Sequence, residues 1–514
     1  MTDNNEVARL LSWCSERGFW LDPRIRVDVG PSGVSVISRN SAIPVDSILV
    51  RIPRQSVLSV KSSPISELIP PNPYGRGAQL SLALAVSVEL VCGVASSWFP
   101  YLQSLPREIP GMPLFWVGGA HAIHGGPAEC LNGTEAWKIL FESAENRTSL
   151  FNEIDTYYRQ VAIPVYSETC PQTIPSLRDF YYSYALVSSR SFLVDSYHGL
   201  AMVPIADAFN HAQDNHVHLE SDFDVCPECG SLQQCTHDDN EAQERPSPVA
   251  ADDYYEMVCI RPIPKNSEIF NTYGETLSNA ELLVQYGFIL DVNDNDRLVW
   301  TFDQLAEFSE DYLPERNWKT LGGLESFREL VSGLIPQSWD DTALSQSELV
   351  HIDRTHEFCL NGDASVSHGL WLYFVLLLRN SPTESIDEAM NCQLELELHA
   401  PSGVDVDAQP PLPDDHPPVP GPQHHHQQTS SPSPYGVIPE LAHLLVALCR
   451  ARLVRIGRLG VETTTEEFGE MLDRLADDDD DPSSRSTRMA ISLAMTEKSL
   501  LDSCMAAWEG ILHA

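Results

Sequence analysis

Two hydrophobic periods alternate along the chain, and the switches between them mark its organisation. From Asn5 to Arg17, the residues Val7, Leu10, Leu11 and Cys14 follow the i, i+3, i+4, i+7 spacing of an amphipathic helix. Between Arg26 and Val60 the pattern shortens to β-rich runs. VSVIS (Val34–Ser38) and ILVRIP (Ile48–Pro53) predict strands separated by polar and proline-containing turns. Leu80–Val94 is mostly apolar and predicts a helix by its length, and helical patterns continue through Phe151–Val161 and Ser176–Val187. Strands and turns return from Gly199 to Phe288. Beyond Phe288 the pattern is helical again, at Leu305–Phe308, Leu324–Leu334, Gly369–Arg379, Ile438–Arg455 and Met489–Leu512. No internal repeat is visible.

Two stretches break this periodicity. Residues 402–435 are crowded with Pro, Asp and Gln, and the run His424, His425, His426 within them reads as a solvated low-complexity tract. Residues 477–488, the acidic run Asp477–Asp481 followed by PSSRS, read as a second disordered segment. A length of 514 residues exceeds one ordinary core and predicts at least two domains. The net charge of −41 argues against binding a nucleic acid backbone, which needs a Lys/Arg footprint, and favours basic protein partners. No apolar run is read as reaching the roughly 18 residues of a membrane span; Leu370–Leu378 is taken as a short buried helix. The N-terminus lacks a basic segment followed by an apolar one, so no secretory signal is expected. Twelve scattered cysteines fit reduced thiols and a cytoplasmic or nuclear setting.

The chemistry concentrates between Ser183 and Phe288. SYALVSSRSF (Ser183–Phe192) is followed by VPIADAFNH (Val203–His211), then by NSEIFNTYGETLSNAELLVQYGF (Asn266–Phe288). Asn-His and Tyr-Gly are common dipeptides alone; their order and wording together are specific. They resemble the SET-domain protein methyltransferases, in the branch of the Rubisco large-subunit lysine methyltransferase and the fungal ribosomal-protein lysine methyltransferases. The resemblance extends to SSWFPYLQSLP (Ser96–Pro106), to LNGT (Leu131–Thr134) and weakly to Leu349–Arg379. Gly133 and Thr134 read equally as an ordinary turn and helix N-cap.

The resemblance implies an α+β protein. A β-rich SET fold with a pseudoknot would occupy residues 1–289, split by a helical insertion at about 78–182 and carrying a Cys/His-rich insert at 220–253. A helical C-terminal substrate-recognition domain would occupy residues 290–514. It implies S-adenosylmethionine as methyl donor and a non-histone protein lysine as acceptor, with a ribosomal protein or translation factor as first substrate, in a monomeric enzyme. Histidine methylation and a non-catalytic scaffold holding a basic partner stay open.

Carried over by position, Tyr273 is the catalytic residue, its phenol orienting the amine and touching the methyl group. Asn210 and His211 hold the cofactor at the crossing of the chain, with Asp207 in support. Arg190 offers a planar fork to the cofactor carboxylate. Tyr286 walls the lysine channel, a role that a packing aromatic fits nearly as well. Gly33 is the remaining glycine of a motif usually written Gly-x-Gly: here PSGVSVIS places Ser35 at the second position, and a register starting from Gly30 is also open. Separately, Cys226, Cys229, Cys235 and His237 have the residue types and density of a structural zinc site, or are thiols in a mobile loop.

Overall fold

The structure, a computed structural model, describes residues 4–30, 33–70, 72, 74–109, 111–116, 126–142, 149–221, 225–232, 235–237, 254–314, 323–332, 358–378, 438–456, 465–476 and 482–513. The expectations for residues 402–435, with His424–His426, and for 349–357 lie outside these. The chain divides into two compact units. The first comprises Met1–Asn295 with Glu466–Leu493, and the second Asp296–Thr465 with Ala494–Ala514. The division after Asn295 follows the SET motifs, whereas the return of 466–493 to the first unit has no signature in the local sequence.

In the first unit, Trp20–Leu21 (β1), Ile25–Gly30 (β2), Gly33–Ser38 (β3), Ile48–Pro53 (β4), Leu58–Ser59 (β5), Ser191–Asp195 (β6), Gly199–Met202 (β7), Val217–Glu220 (β8) and Tyr254–Cys259 (β9) build three small antiparallel sheets. Their orders are β1-β4-β9-β8, β2-β3 and β5-β7-β6. In the largest, Val50 faces Met257 and Ile52 faces Tyr255, and all four side chains are fully buried. Burial of each such aliphatic side chain stabilises by about 1.5–3 kcal/mol. The β2–β3 hairpin pairs Gly30 with Gly33, and Gly33 sits at φ +105°, which glycine adopts without penalty.

Between β5 and β6 lie helices, chiefly Gly75–Cys92, Glu135–Phe141, Leu150–Tyr157, Ile163–Thr169 and Leu177–Arg190. Gly75–Cys92 corrects one sequence expectation: with its extension to Ala95 it is long and apolar enough to cross a membrane. In this structure Leu82–Val86 are fully buried in the protein core. Its serines are matched to that core, since Tyr166 Oη donates to Ser87 Oγ at 2.7 Å and Tyr157 Oη to Ser81 Oγ at 3.3 Å. Leu177–Arg190 starts at a capping box, Ser176 with Asp179, and ends by handing Arg190 directly to β6. Thr134 caps Glu135–Phe141 by accepting from the Trp137 N–H.

A second correction concerns 482–488, residues 477–481 lying outside the described residues. Pro482–His513 is one helix, so PSSRS is helical, with Ser486 buried. Proline is well suited to a first helical turn, where its missing N–H costs nothing. In the second unit, Phe302–Tyr312, Leu324–Ser332, His368–Leu378 and Ile438–Arg455 are helices, and Leu298–Val299 pairs with Cys359–Leu360. Phe302, Phe327, Phe358 and Tyr373 form an aromatic core with ring centroids 5.4–6.2 Å apart.

One buried ion pair fixes the β6–β7 turn. Arg54 Nη1 donates to Asp195 Oδ2 at 2.9 Å, the Tyr255 hydroxyl donates to the same oxygen, and Asp195 Oδ1 accepts the N–H groups of Tyr197 and His198 at 3.0 and 2.6 Å. Arg54 and Asp195 side chains are only 5% and 1% exposed. Asp195→Ala would leave a buried guanidinium and two turn N–H groups without their carboxylate. We expect a loss of about 3–5 kcal/mol in stability, read by chemical denaturation, with Asp195→Asn intermediate. An unchanged midpoint for Asp195→Ala would show the pair to be dispensable.

Candidate active site

The segment Glu268–Tyr273 passes between β3 and the Asn-His motif and is hydrogen-bonded to both. On one side Ile37 bridges Glu268, and the Ile269 N–H donates to Val36 O at 2.8 Å. On the other, His211 and Asn271 form a parallel bridge, the Asn271 N–H donates to Asn210 O at 2.8 Å, and the Ala212 N–H donates to Asn271 O at 3.0 Å. This is the pseudoknot-like crossing that the motif order implied. It brings three stretches far apart in sequence into backbone contact and delivers Tyr273 at its exit.

Tyr273 is held there from both its backbone and its ring. Its N–H donates to His211 Nδ1 at 3.1 Å, and the Tyr286 hydroxyl donates to its carbonyl at 3.4 Å. The rings of Tyr273 and Tyr286 stack at 4.6 Å and 20°. His211 and Phe288 complete an aromatic cluster, 5.2 and 6.3 Å from the Tyr273 ring. Burial is the main cause that pushes the Tyr273 phenol above its usual 10.0; nearby Asp207 and Glu268 add to it and Arg190 opposes it. The phenol is therefore neutral at physiological pH. Burial raises the Tyr286 phenol too, and pushes His211 below its usual 6.5. Since Nδ1 of His211 accepts a hydrogen bond, the neutral ring carries its proton on Nε2.

Arg190 and Asp207 are brought together behind this cluster. Arg190 Nη1 donates to the Asp207 carbonyl at 3.2 Å and to its Oδ2 at 3.4 Å, and the Tyr101 hydroxyl donates to Oδ2 at 3.0 Å. Asp207 thus faces inward, with both bonds converging on one carboxylate oxygen. Burial pushes its pKa up while Arg190 pulls it back. The Asn210 amide donates to Glu268 Oε1 at 2.6 Å. Gly33 lies at the tip of the hairpin whose β3 strand borders the crossing, and a Cβ there would meet nothing within 4 Å. What Gly33 requires glycine for is its positive φ.

Three contributors were not singled out from the sequence: Tyr101 and Glu268, which position Asp207 and Asn210, and Phe288, which joins the aromatic wall. All lie inside quoted motifs, so their type and place were visible but their partners were not. Ile205 was also missed. It is a fully buried β-branched residue at φ +71°, a strained conformation of order 1–3 kcal/mol, immediately before the turn that presents Asp207. A cleft of about 780 Å³ in the same unit is lined by Arg107, Trp116, Arg178 and Tyr182 among others; Tyr273, Asn210 and His211 are not part of its wall.

Cys226, Cys229, Cys235 and His237 also converge: one ligand atom from each lies within 4.8 Å of all the others. Their chemistry is separate from the Tyr273 cluster.

The fold is that of a SET domain. No protein-family model matches the chain. Ribosomal lysine N-methyltransferase 3 of Saccharomyces cerevisiae is 24% identical over 62% of this chain and 68% of its own length. N-lysine methyltransferase SETD6 of Bos taurus is 28% identical over 57% of this chain and 59% of its own. The actin-histidine N-methyltransferase of Mus musculus is 23% identical over 56% and 43%. Among solved structures, the SET domain of LSMT bound to lysine and AdoHcy superposes with a TM-score of 0.58 at 16% identity, covering 98% of this chain and 91% of that one, a likeness of fold. In sequence the chain is thus similar to lysine and actin-histidine methyltransferases, and in fold to the SET domain of LSMT.

Two expectations follow from the packing around Tyr273. Gly287, at φ +78°, caps the helix Asn279–Tyr286, and a Cβ on it would come within 2.9 Å of the Gly111 carbonyl carbon. Gly287→Ala should cost about 1–3 kcal/mol and displace Tyr286, seen as a lower melting temperature; a melt matching the parent would show that the backbone yields at no cost. His211 titrates below 6.5 in the folded chain, so the unfolded chain takes up its proton first as pH falls. That part of the stability is present above pH 6.5 and is lost as pH falls towards the folded value. His211→Gln should flatten this acid limb in pH-dependent denaturation, and an identical limb in both proteins would assign it to other groups.

Proposed function

We propose that this chain is an S-adenosylmethionine-dependent protein-lysine N-methyltransferase acting on a basic non-histone protein, with a ribosomal protein as its first substrate. The observation that carries the reading is the neutral, half-buried Tyr273 phenol, held at the exit of the crossing by His211 and walled by Tyr286 and Phe288.

The residues present fit the methyl donor by their chemistry. Arg190 engages Asp207 through Nη1 alone, so part of its five-donor fork remains for a carboxylate. Aromatic faces at Tyr273, Tyr286, Phe288 and His211 suit a cationic sulfonium group. The Asn210 amide, oriented by Glu268, would hold the polar end of such a ligand. When bound, the donor supplies an electrophilic methyl group.

What the chain supplies is alignment and desolvation. A lysine amine has an ordinary pKa of about 10.4 and attacks only when neutral. A dry aromatic channel disfavours its ammonium form. Tyr273 is itself protonated, so it is not the base that removes the lysine proton. Its hydroxyl would orient the amine lone pair, and its oxygen would accept weak C–H contacts from the donor's methyl group. Tyr286 spends its own hydroxyl on the Tyr273 carbonyl and so contributes its ring face to the wall.

The ribosomal substrate is supported by the name of the yeast relative and by the net charge of −41, which favours a basic partner. The mouse relative that modifies actin histidine favours one second reading, methyl transfer to imidazole. The test is incubation of the purified chain with labelled S-adenosylmethionine and a ribosomal-protein fraction. A labelled lysine is expected, with Tyr273→Phe slowing transfer about 100-fold while cofactor affinity by calorimetry stays the same. A labelled histidine selects the second reading. Absence of both transfer and cofactor binding would leave a scaffold for a basic protein and sink the enzymatic one.

A further inference from the structure

We infer that Cys226, Cys229, Cys235 and His237 form a structural Zn(II) site that staples the insert after β8 onto the β6–β7 turn. The argument begins with distances. A tetrahedral zinc with Zn–S of about 2.3 Å and Zn–N of about 2.0–2.1 Å places neighbouring sulfurs about 3.8 Å apart and sulfur and nitrogen about 3.6 Å apart. Here Cys229 Sγ lies 3.6 Å from Cys235 Sγ, and His237 Nδ1 lies 3.7 Å from Cys235 Sγ and 3.9 Å from Cys226 Sγ. The sulfurs are much further apart than the roughly 2.05 Å of a disulfide. Three of the six edges of a coordination tetrahedron are matched in this way, and all four ligand atoms lie within 4.8 Å of one another.

The local backbone is built for the same purpose. Cys226-Pro227-Glu228-Cys229-Gly230 turns tightly: the Gly230 N–H donates to Cys226 O at 2.7 Å, and Gly230 sits at φ +73°. Three thiolates and one imidazole select a soft, tetrahedral ion, and with every position filled by protein the site is structural.

The described part of the insert has few apolar contacts to hold it. Among its described residues 225–232 and 235–237, the only buried hydrophobics are Val225 and Cys226, so these residues have no apolar core of their own. What it does have is a seat. Ser196 Oγ donates to Val225 O at 2.7 Å, and Gly230 packs on Tyr197 so closely that a Cβ would stand 3.0 Å from the ring. Ser196 and Tyr197 are the turn residues that Asp195 organises from the buried Arg54–Asp195 pair. A metal that closes the knuckle therefore braces the strand pair beginning one residue after Arg190. This role is separate from methyl transfer and does not depend on which substrate the enzyme modifies.

The test uses the full chain purified without chelators. Elemental analysis should find one zinc per chain, and exchange with cobalt(II) should produce the intense visible bands of a tetrahedral thiolate complex. The double variant Cys229→Ser/Cys235→Ser removes two ligands that lie outside the Tyr273 cluster. It should lose the zinc and melt at lower temperature while its affinity for S-adenosylmethionine is kept, which separates metal loss from global misfolding. Absence of zinc from the parent protein, zinc retained in the double variant, or a Cys229–Cys235 disulfide in the peptide map would each overturn the assignment.

Discussion

The crossing of Glu268–Tyr273 between β3 and Asn210–Ala212 is the constraint on which the site depends. Strand segments normally gain their partners from neighbours in one sheet. This one is hydrogen-bonded on one side to a hairpin near the N-terminus and on the other to a turn that follows the helical insertion. Its backbone is therefore over-determined, and the residue that leaves it has little freedom. Because the His211 side chain then caps the Tyr273 N–H, the same motif that forms the crossing also sets the direction of the phenol.

Two buried Arg–Asp–Tyr groups support this arrangement, and both are costly enough to demand an explanation. Arg190, Asp207 and Tyr101 lie behind the cluster; Arg54, Asp195 and Tyr255 lie under the β6–β7 turn. Burying a charge pair gains little net stability over an apolar core of the same shape. What such a pair gives is geometry: Asp195 also accepts the turn N–H groups of Tyr197 and His198, and Asp207 fixes Arg190 and Tyr101 on one oxygen. The strained Ile205 adjoins the first group. Strain of this size persists only where surrounding contacts over-determine the backbone.

The long apolar helix Gly75–Cys92 carries a more general lesson about composition. By length and hydropathy it is a candidate for a bilayer, yet in this structure it is enclosed by tyrosine-bearing helices whose hydroxyls meet its serines. Hydrophobicity measures the demand to leave water; only the packing around a segment says what meets that demand.

Much of this protein was legible in local sequence. Periodicity placed the strands at Val34–Ser38 and Ile48–Pro53 and the helix at Ile438–Arg455, because side-chain period is a property of the segment itself. The wording of SSRSF, DAFNH and NTYG marked Arg190, Asp207, Asn210, His211 and Tyr273 through its resemblance to a known family, which a local motif can carry. What local sequence could not contain were the partners across space: Tyr101 for Asp207, Glu268 for Asn210, Gly111 against Gly287, and the return of Glu466–Leu493 to the first unit. PSSRS reads as a polar break by composition, whereas a helix with Ser486 packed inward is a tertiary outcome. Four residues between Cys226 and His237 had the right identities for a metal from the start. Whether their ligand atoms could meet was decided by the fold of the turn, since tetrahedral convergence is a relation between side-chain directions that spacing alone does not encode.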